Sequence, residues 1–259
     1  MTSSTGTFLA VAVGNSRTRV GVVEGGVVGE GHSFPNDDVV GLAAQIHTLL
    51  EKSATQTVVT ASVNNPVADR LEATLGDAGT AEILRIGRDI EIPILHSLDD
   101  ATTVGHDRLL CALGAFSKSG QACVVVDCGT AITVDFVDGV GAFQGGVIAP
   151  GVNMMLRALH ERTAALPQLE FALPDPARGE YGKDTRHAMM LGARNAAVGL
   201  VRRTIELFAV AYEAYPQIVA TGGDAAALFA EDDLVEHIVP DLQLIGIAQA
   251  WRAAAEADE

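Results

Sequence analysis

The spacing of apolar positions changes character several times along the chain. Phe8–Val13 is an unbroken apolar run, Arg17–Val23 alternates polar and apolar residues, and Val27–His32 follows a Gly25-Gly26 turn. Together these predict three short strands. Helical spacing covers Val39–Lys52, with Asp37 or Asp38 as N-cap. A strand at Thr57–Ala61 follows, then a helix at Val67–Leu75 with Pro66 near its first turn, and a further strand at Glu82–Ile86. Strands in a row that give way to strand–helix alternation predict an α/β layered domain.

The second half repeats this opening. Ala10–Val20 lies over Val125–Val134 at an offset of 115 residues, with Gly14 matched to Gly129 and Thr18 to Thr133. Each copy is an apolar strand, a Gly-polar turn and an alternating strand, followed by a Gly-rich hairpin that ends in the second copy at Gln144-Gly145-Gly146. Beyond it the pattern predicts helices at Val152–Leu159, Thr185–Tyr212 and Asp224–Phe229, and strands at Ile218–Thr221 and Leu234–Val239. The reading is therefore two similar α/β halves, residues 1–118 and 119–259. A ligand cleft is expected between them, because clefts form preferentially at domain interfaces.

Composition narrows the function classes. The chain has 259 residues and a net charge of −16, with no basic stripe. Such an acidic surface repels polyanions at long range, so nucleic-acid binding is not expected. Cys111, Cys123 and Cys128 have no paired metal-ligand spacing, which predicts a reducing, cytoplasmic setting without structural zinc. The Phe8–Val13 run is short and has no basic residues before it. Neither a signal peptide nor a membrane span is expected.

Chemistry concentrates at turns. Gly14-Asn15-Ser16 and Gly129-Thr130 each close a hairpin whose backbone N–H groups suit a phosphate. Asp127, at the end of a buried strand, is either a turn-capping residue or a carboxylate facing a cation. Its counterpart in the first copy is Ala12. Gly105-His106-Asp107-Arg108 opens an apolar helix at Leu109–Phe116. It reads either as a plain helix start or as a carboxylate base beside an anion-binding Arg, with His106 a local helix-start residue. Gly145–Gly151 joins a strand to a helix, Gly182-Lys183-Asp184-Thr185 precedes the long helix, and Thr221-Gly222-Gly223-Asp224 follows a strand, where nucleotides meet N–H groups in α/β sheets. P-loop, Rossmann and zinc-protease signatures do not occur in the sequence.

In order, Gly14-Asn15-Ser16, Ser62-Val63, Gly105–Arg108, Asp127–Ala131, Gly145–Gly151, Gly182–Met189 and Thr221-Gly222-Gly223 resemble the motifs of the type III pantothenate kinases. That resemblance implies two duplicated ribonuclease H-like (actin-like ATPase) halves with an interdomain cleft. It also implies phosphorylation of pantothenate by ATP, the first step of coenzyme A biosynthesis, with Mg²⁺ and potassium or ammonium, in a homodimer. By position it makes Asp107 the general base and Gly105, Arg108 and Thr185 substrate contacts. Gly14, Asn15, Ser16, Gly129 and Thr130 become phosphate contacts, Gly222 and Gly223 the adenosine-side turn, and Asp127 the metal-linked carboxylate. The family's first phosphate motif reads Asp-x-Gly-Asn-Thr, where this chain has Ala12-Val13-Gly14-Asn15-Ser16. A Tyr and an Asn-Pro before the Gly-x-Asp-Arg motif are replaced by the stretch Leu98-Asp99-Asp100-Ala101. Three readings stay open on the residues: a working pantothenate kinase, a paralogue that binds nucleotide or a pantothenate-like acid without efficient turnover, and a kinase of another hydroxy acid.

Overall fold

A computed structural model describes residues 6–77, 79 and 82–257. The chain forms two compact units. The first runs to Gly120 and takes in Gly141–Phe143 and the segment from Asp241 onward; the second is Gln121–Val140 with Gln144–Pro240.

In the first unit β1 (Phe8–Val13) is central. It pairs antiparallel with β2 (Arg17–Glu24) and parallel with β5 (Thr57–Ser62), which pairs with β6 (Glu82–Arg85). All six residues of β1 are buried, which explains the unbroken apolar run: both faces are covered. Leu9, Val11 and Val13 pack with Leu42, Ile46, Leu71 and Leu75 from α1 (Val39–Ser53) and α2 (Asn65–Asp77). Phe8, Ala10 and Ala12 face Leu110 of α3 (His106–Ser119) and Leu244 and Ile247 of α7 (Leu242–Ala257). Asp38 caps α1 by accepting from the Gly41 N–H.

In the second unit β8 (Cys123–Cys128) takes the place of β1. It pairs antiparallel with β9 (Ala131–Val137) and parallel with β11 (Gln217–Thr221), beside β12 (His237–Ile238). With β10 (Ala142–Pro150) the order is β12-β11-β8-β9-β10, the same path as β6-β5-β1-β2-β3 with β3 at Val27–Val28. The duplicated α/β architecture read from the repeat is thus present in the strand order. Its core joins Val124, Val126 and Val134 to Leu156 of α4 (Val152–Glu161) and to Ala197, Val201 and Ile205 of α5 (Thr185–Tyr212), with Leu228 of α6 (Ala225–Phe229).

Several details differ from expectation. Val13 pairs with Thr18 but Cys128 pairs with Ile132, so the second hairpin is one residue tighter and Thr133 is not the structural match of Thr18. The third strand breaks into β3 and β4 (His32–Pro35), both on β2. At the break a Cβ on Gly31 would strike the Asp241 carboxylate and crowd Arg19. A short strand β7 (Leu95–His96) pairs with Ala142 and Phe143. The strand expected at Leu234–Val239 shrinks to β12. The first unit runs to Gly120, and, among the described residues, 241–257 do not follow the second half. Helix α7 packs in the first unit because its apolar stripe of Leu244, Ile247, Ala248 and Ala250 covers the Phe8–Ala12 face.

Helices α3 and α7 touch backbone to backbone. A Cβ on Gly114 would lie 2.6 Å from the Leu242 carbonyl oxygen, and one on Gly246 would lie 2.6 Å from the Leu110 carbonyl carbon. Neither obstacle is a flexible side chain, so the helices would have to separate. Gly246→Ala is therefore expected to lower unfolding free energy by about 1–3 kcal/mol, the usual range for overpacking. Urea unfolding followed by circular dichroism measures it, and an unchanged midpoint would contradict the close crossing.

Candidate functional site

The first hairpin turn is braced from behind. Gly14 N–H donates to the Arg17 carbonyl at 2.9 Å. The Asn36 amide donates to the carbonyls of Gly14 (2.8 Å) and Asn15 (3.3 Å), while its own oxygen accepts from the Thr18 hydroxyl at 2.8 Å. The Asn64 amide also donates to the Asn15 carbonyl, at 3.1 Å. With the carbonyls held by side chains on one side, Gly14, Asn15 and Ser16 form a fixed turn, and the Asn15 and Ser16 side chains are exposed. Asn36 and Asn64 escaped the sequence reading because they lie far from the turn they hold. The Ser62-Val63 motif does adjoin them, since Ser62 Oγ accepts from the Asn64 N–H at 2.9 Å.

The second turn brings three chain segments together. Gly129 N–H donates to the Ala131 carbonyl at 3.0 Å, and Gly151 N–H donates to the Thr130 carbonyl at 3.1 Å. A Cβ on Gly151 would lie 2.7 Å from that carbonyl oxygen, so the end of the Gly145–Gly151 motif seats directly on the turn. From the other side Gly222, at φ +92°, presses on the Asp127 carboxylate and the Cys128 carbonyl; a Cβ there would collide with both. The Asp224 N–H donates to the same Cys128 carbonyl at 2.9 Å. A Cβ on Gly223 would meet nothing within 4 Å, so this residue faces open space. Asp127, Gly129, Thr130, Gly222 and Gly223 therefore form one corner at the ends of β8 and β11.

Asp224 belongs to that corner and was read from sequence only as a helix start. Burial raises its pKa above the ordinary carboxylate value. Burial also pushes the Cys128 thiol far up, helped by the negative charges of Asp127 and Asp224. Both carboxylates thus lie near Cys128, although among the described residues no group of three or more His, Cys, Asp or Glu side chains could hold a metal ion. Two carboxylates fit Mg²⁺ in one respect: this ion is commonly held by one or two protein carboxylates plus substrate phosphates and water.

Asp107 and Arg108 sit in the first turn of α3, with Gly105 as N-cap. The Asp107 carboxylate accepts from the Arg108 backbone N–H at 2.8 Å and folds back over Gly105, where a Cβ would strike it. Val63 closes the other side of Gly105, its methyl 3.5 Å from a Cβ position there. Burial raises the Asp107 pKa, opposed by the Arg108 N–H and the Arg108 charge. The Arg108 guanidinium lies over the Phe143 ring, 5.6 Å from its centre. His106 packs its ring against Gly87, which has φ +83° and no room for a side chain. His106 also opens α3, the helix-start place expected for it.

Thr185 opens α5 and is exposed. It lines an apolar groove of about 770 Å³ between α4 and α5, with Met155, Leu159, Leu166, Met189 and Ala193. Of the apolar residues of α5, Ala188, Ala196 and Leu207 are exposed, whereas the buried face is His187, Met189, Ala193, Ala197, Val201, Thr204 and Ile205. Among the described residues no helix is long and apolar enough to cross a membrane.

Comparison with known proteins gives a consistent set of relatives. The family model for type III pantothenate kinase matches residues 8–207. The type III pantothenate kinase of Maricaulis maris is 36% identical over 170 residues, covering 66% of this chain and 63% of that protein. The one from Ruegeria pomeroyi is 40% identical over 153 residues, covering 59% and 58%. One from Cereibacter sphaeroides is 33% identical over 201 residues, covering 77% of each. The matched stretch thus spans less than two thirds of the first two relatives. Among solved structures, component A of (R)-2-hydroxyglutaryl-CoA dehydratase from Acidaminococcus fermentans superposes with a TM-score of 0.53 at 14% identity, over 98% of this chain and 99% of that one. The ethanolamine utilization protein EutJ from Carboxydothermus hydrogenoformans gives 0.53 at 14% identity, over 95% and 90%. These two likenesses concern the fold alone.

The raised pKa of Asp107 has a stability consequence. The folded chain favours the neutral acid, so this group's contribution is fully present below the unfolded value of 3.8 and is lost as pH rises through the higher folded value. Asp107→Asn keeps the acceptor for the Arg108 N–H and removes the buried charge. The variant is expected to melt above the wild type at neutral pH, with the gap closing as pH falls toward 3.8. Thermal unfolding across pH measures this, and a variant that melts lower at neutral pH would contradict it.

Proposed function

Since the chain belongs to the type III pantothenate kinase family, we propose that it transfers the γ-phosphoryl group of ATP to the hydroxyl of pantothenate, giving 4′-phosphopantothenate. The observation that carries this reading is Asp107: a partly buried carboxylate of raised pKa, fixed in the first turn of α3 beside an arginine. A base for a hydroxyl works best when its pKa lies nearer the working pH than that of an ordinary carboxylate, and burial moves it that way. Asp107 accepts the hydroxyl proton as the oxygen attacks phosphorus and the bond to the ADP oxygen breaks. Arg108, steered by Phe143, suits the pantothenate carboxylate, and Gly105 leaves the space in front of Asp107 clear of a side chain. Thr185 is a further contact to the acid.

At the turn Gly14–Ser16 and the corner Gly129–Thr130, where the Gly14 and Gly129 N–H groups close the turns themselves, Asn15, Ser16 and Thr130 would supply the donors to phosphates and the two glycines would leave room for them, with Gly222-Gly223 on the adenosine side. Asp127, with Asp224 beside it, would hold Mg²⁺, which when bound neutralises charge on the phosphates. Phosphoryl transfer depends chiefly on positioning and charge stabilisation, so this set is sufficient in kind. The chain is proposed to act as a homodimer in the cytoplasm. The groove beside Thr185 and the exposed Leu207 and Val210 of α5 support the dimer, and a monomeric mass by light scattering at micromolar concentration would oppose it.

The direct test is turnover of purified protein with ATP, pantothenate, Mg²⁺ and potassium or ammonium, with 4′-phosphopantothenate read by mass spectrometry. Asp107→Asn is expected to lower kcat by about 10²–10⁴-fold, the range for loss of a general base. Near-normal turnover in that folded variant would return Asp107 to a helix-start role.

Ala12 occupies the strand-end position that Asp127 holds in the second unit. Ala12 pairs with Ala61 and Arg19, as Asp127 pairs with Thr221 and Thr133. An Asp at this place would face Phe8, Ala10 and Leu244, but its cross-strand neighbour is Arg19, which offers a charge partner. Ala12→Asp is expected to raise kcat/KM for ATP by at least about tenfold and to lower the Mg²⁺ needed. Unchanged or lower activity in a folded variant would show that no carboxylate is wanted there.

A further inference from the structure

The Gly182–Met189 motif contributes only Thr185 to the function above, yet its most buried member is His187. The residue is 4% exposed, and its two ring nitrogens have different surroundings. Nδ1 accepts from the Lys183 backbone N–H at 3.3 Å. An accepting Nδ1 leaves the proton of the neutral ring on Nε2, which is buried and has no hydrogen-bond partner among the described residues. Keeping a donor in that state is unfavourable, and an apolar side chain of similar size would avoid it. The ring must therefore do something an apolar group cannot.

What it does is visible in the bonds around it. The His187 backbone N–H donates to the Asp184 carboxylate at 2.8 Å, and the Arg178 guanidinium bonds the other oxygen of that carboxylate at 2.8 Å. Those two bonds hold the Asp184 carboxyl below its usual range. Gly182 lies directly on the helix, since a Cβ there would sit 2.6 Å from the Ala188 Cβ and 2.7 Å from its Cα. Gly182, Lys183 and Asp184 are thus each tied to the first turn of α5, and of the three ties only the one at Lys183 runs through the His187 ring. Thr185 is the next residue.

We infer that His187 is a positioning residue: its Nδ1 fixes the Lys183–Asp184 corner and so sets the direction in which Thr185 presents its hydroxyl to the substrate acid. This rests on the proposed role of Thr185 and adds a residue that does not itself touch substrate. Lost positioning should weaken binding of the acid and leave the phosphoryl step and ATP binding largely alone.

Three variants separate the ring nitrogens. Asn places an acceptor near the position of Nδ1, Gln places its amide near Nε2, and Leu keeps neither. His187→Leu and His187→Gln are expected to raise KM for pantothenate by about tenfold, with kcat and KM for ATP within about twofold, while His187→Asn stays within about threefold of wild type throughout. NMR-detected exchange of the Lys183 amide should show protection in wild type and His187→Asn and faster exchange in the other two. Equal KM values for the Asn and Leu variants, or a Lys183 amide still protected in His187→Leu, would overturn the inference. If His187→Leu does not fold, the decision falls to His187→Asn, where lost protection or a tenfold higher KM overturns it. A wild-type chain that makes no 4′-phosphopantothenate removes the proposed function instead, and the exchange measurement still decides whether the ring holds the corner.

Discussion

A carboxylate at the end of a buried strand is costly unless polar groups or an opposite charge, rather than apolar side chains, come up against it. The second unit depends on that constraint. Asp127 ends β8, and the segment after β11 reaches it only because Gly222 adopts φ +92° and carries no side chain. Once Gly222 is in place, the Asp224 N–H can reach the Cys128 carbonyl, and helix α6 starts where that bond leaves it. On the far side Gly151 seats on Thr130 for the same reason, which fixes the start of α4. The positions of two helices relative to the sheet therefore follow from two close backbone approaches around one turn.

The first unit solves the equivalent problem differently. Its strand end carries Ala12, so no charge has to be accommodated, and the neighbouring face is filled by α7. Close approach occurs there too, but between helices, at Gly114 and Gly246. The charges on this face are the pair Arg19–Asp241, at 2.5 Å and partly exposed. Asn36 and Asn64 then brace the hairpin turn by hydrogen bonds to its carbonyls, where the second unit uses backbone contact. A common strand order thus supports two unlike turns, one neutral and amide-braced, the other acidic and glycine-packed.

What the sequence revealed follows the range of the forces involved. Elements set by local periodicity were legible: β1 is buried as its unbroken run predicts, α1 is capped by Asp38, and α5 has the expected bounds of Thr185 and Tyr212. The 115-residue offset was visible because two copies of one pattern reinforce each other. The one-residue difference between the hairpins was not, since glycine matching aligns the turns and hides the register beyond them. Contacts made across long separations were also invisible. Nothing local marks α7 as a partner of β1, Asn36 as the brace of Gly14, or the backbone N–H of Asp224 as the donor to the Cys128 carbonyl. His187 was in view throughout, inside a motif, but only the distances to Lys183 and Asp184 give it a task.

The acidity of the chain bears on how the nucleotide and the acid of the proposed reaction could both be held. A net charge of −16 opposes their approach, but at physiological ionic strength that repulsion decays over a Debye length of about 8 Å. Inside that distance the local donors decide. At the turns the proposed donors are the groups of Asn15, Ser16 and Thr130, set among glycines that add no charge and leave room for phosphate oxygens. At α3 the proposed donors are the helix start and Arg108, whose guanidinium is held over the Phe143 ring. Asp107 belongs to the same balance of charge: partial burial raises its pKa, which makes its carboxylate a stronger proton acceptor than a surface one. The same burial that destabilises the ionised fold thus suits this residue to its proposed chemistry.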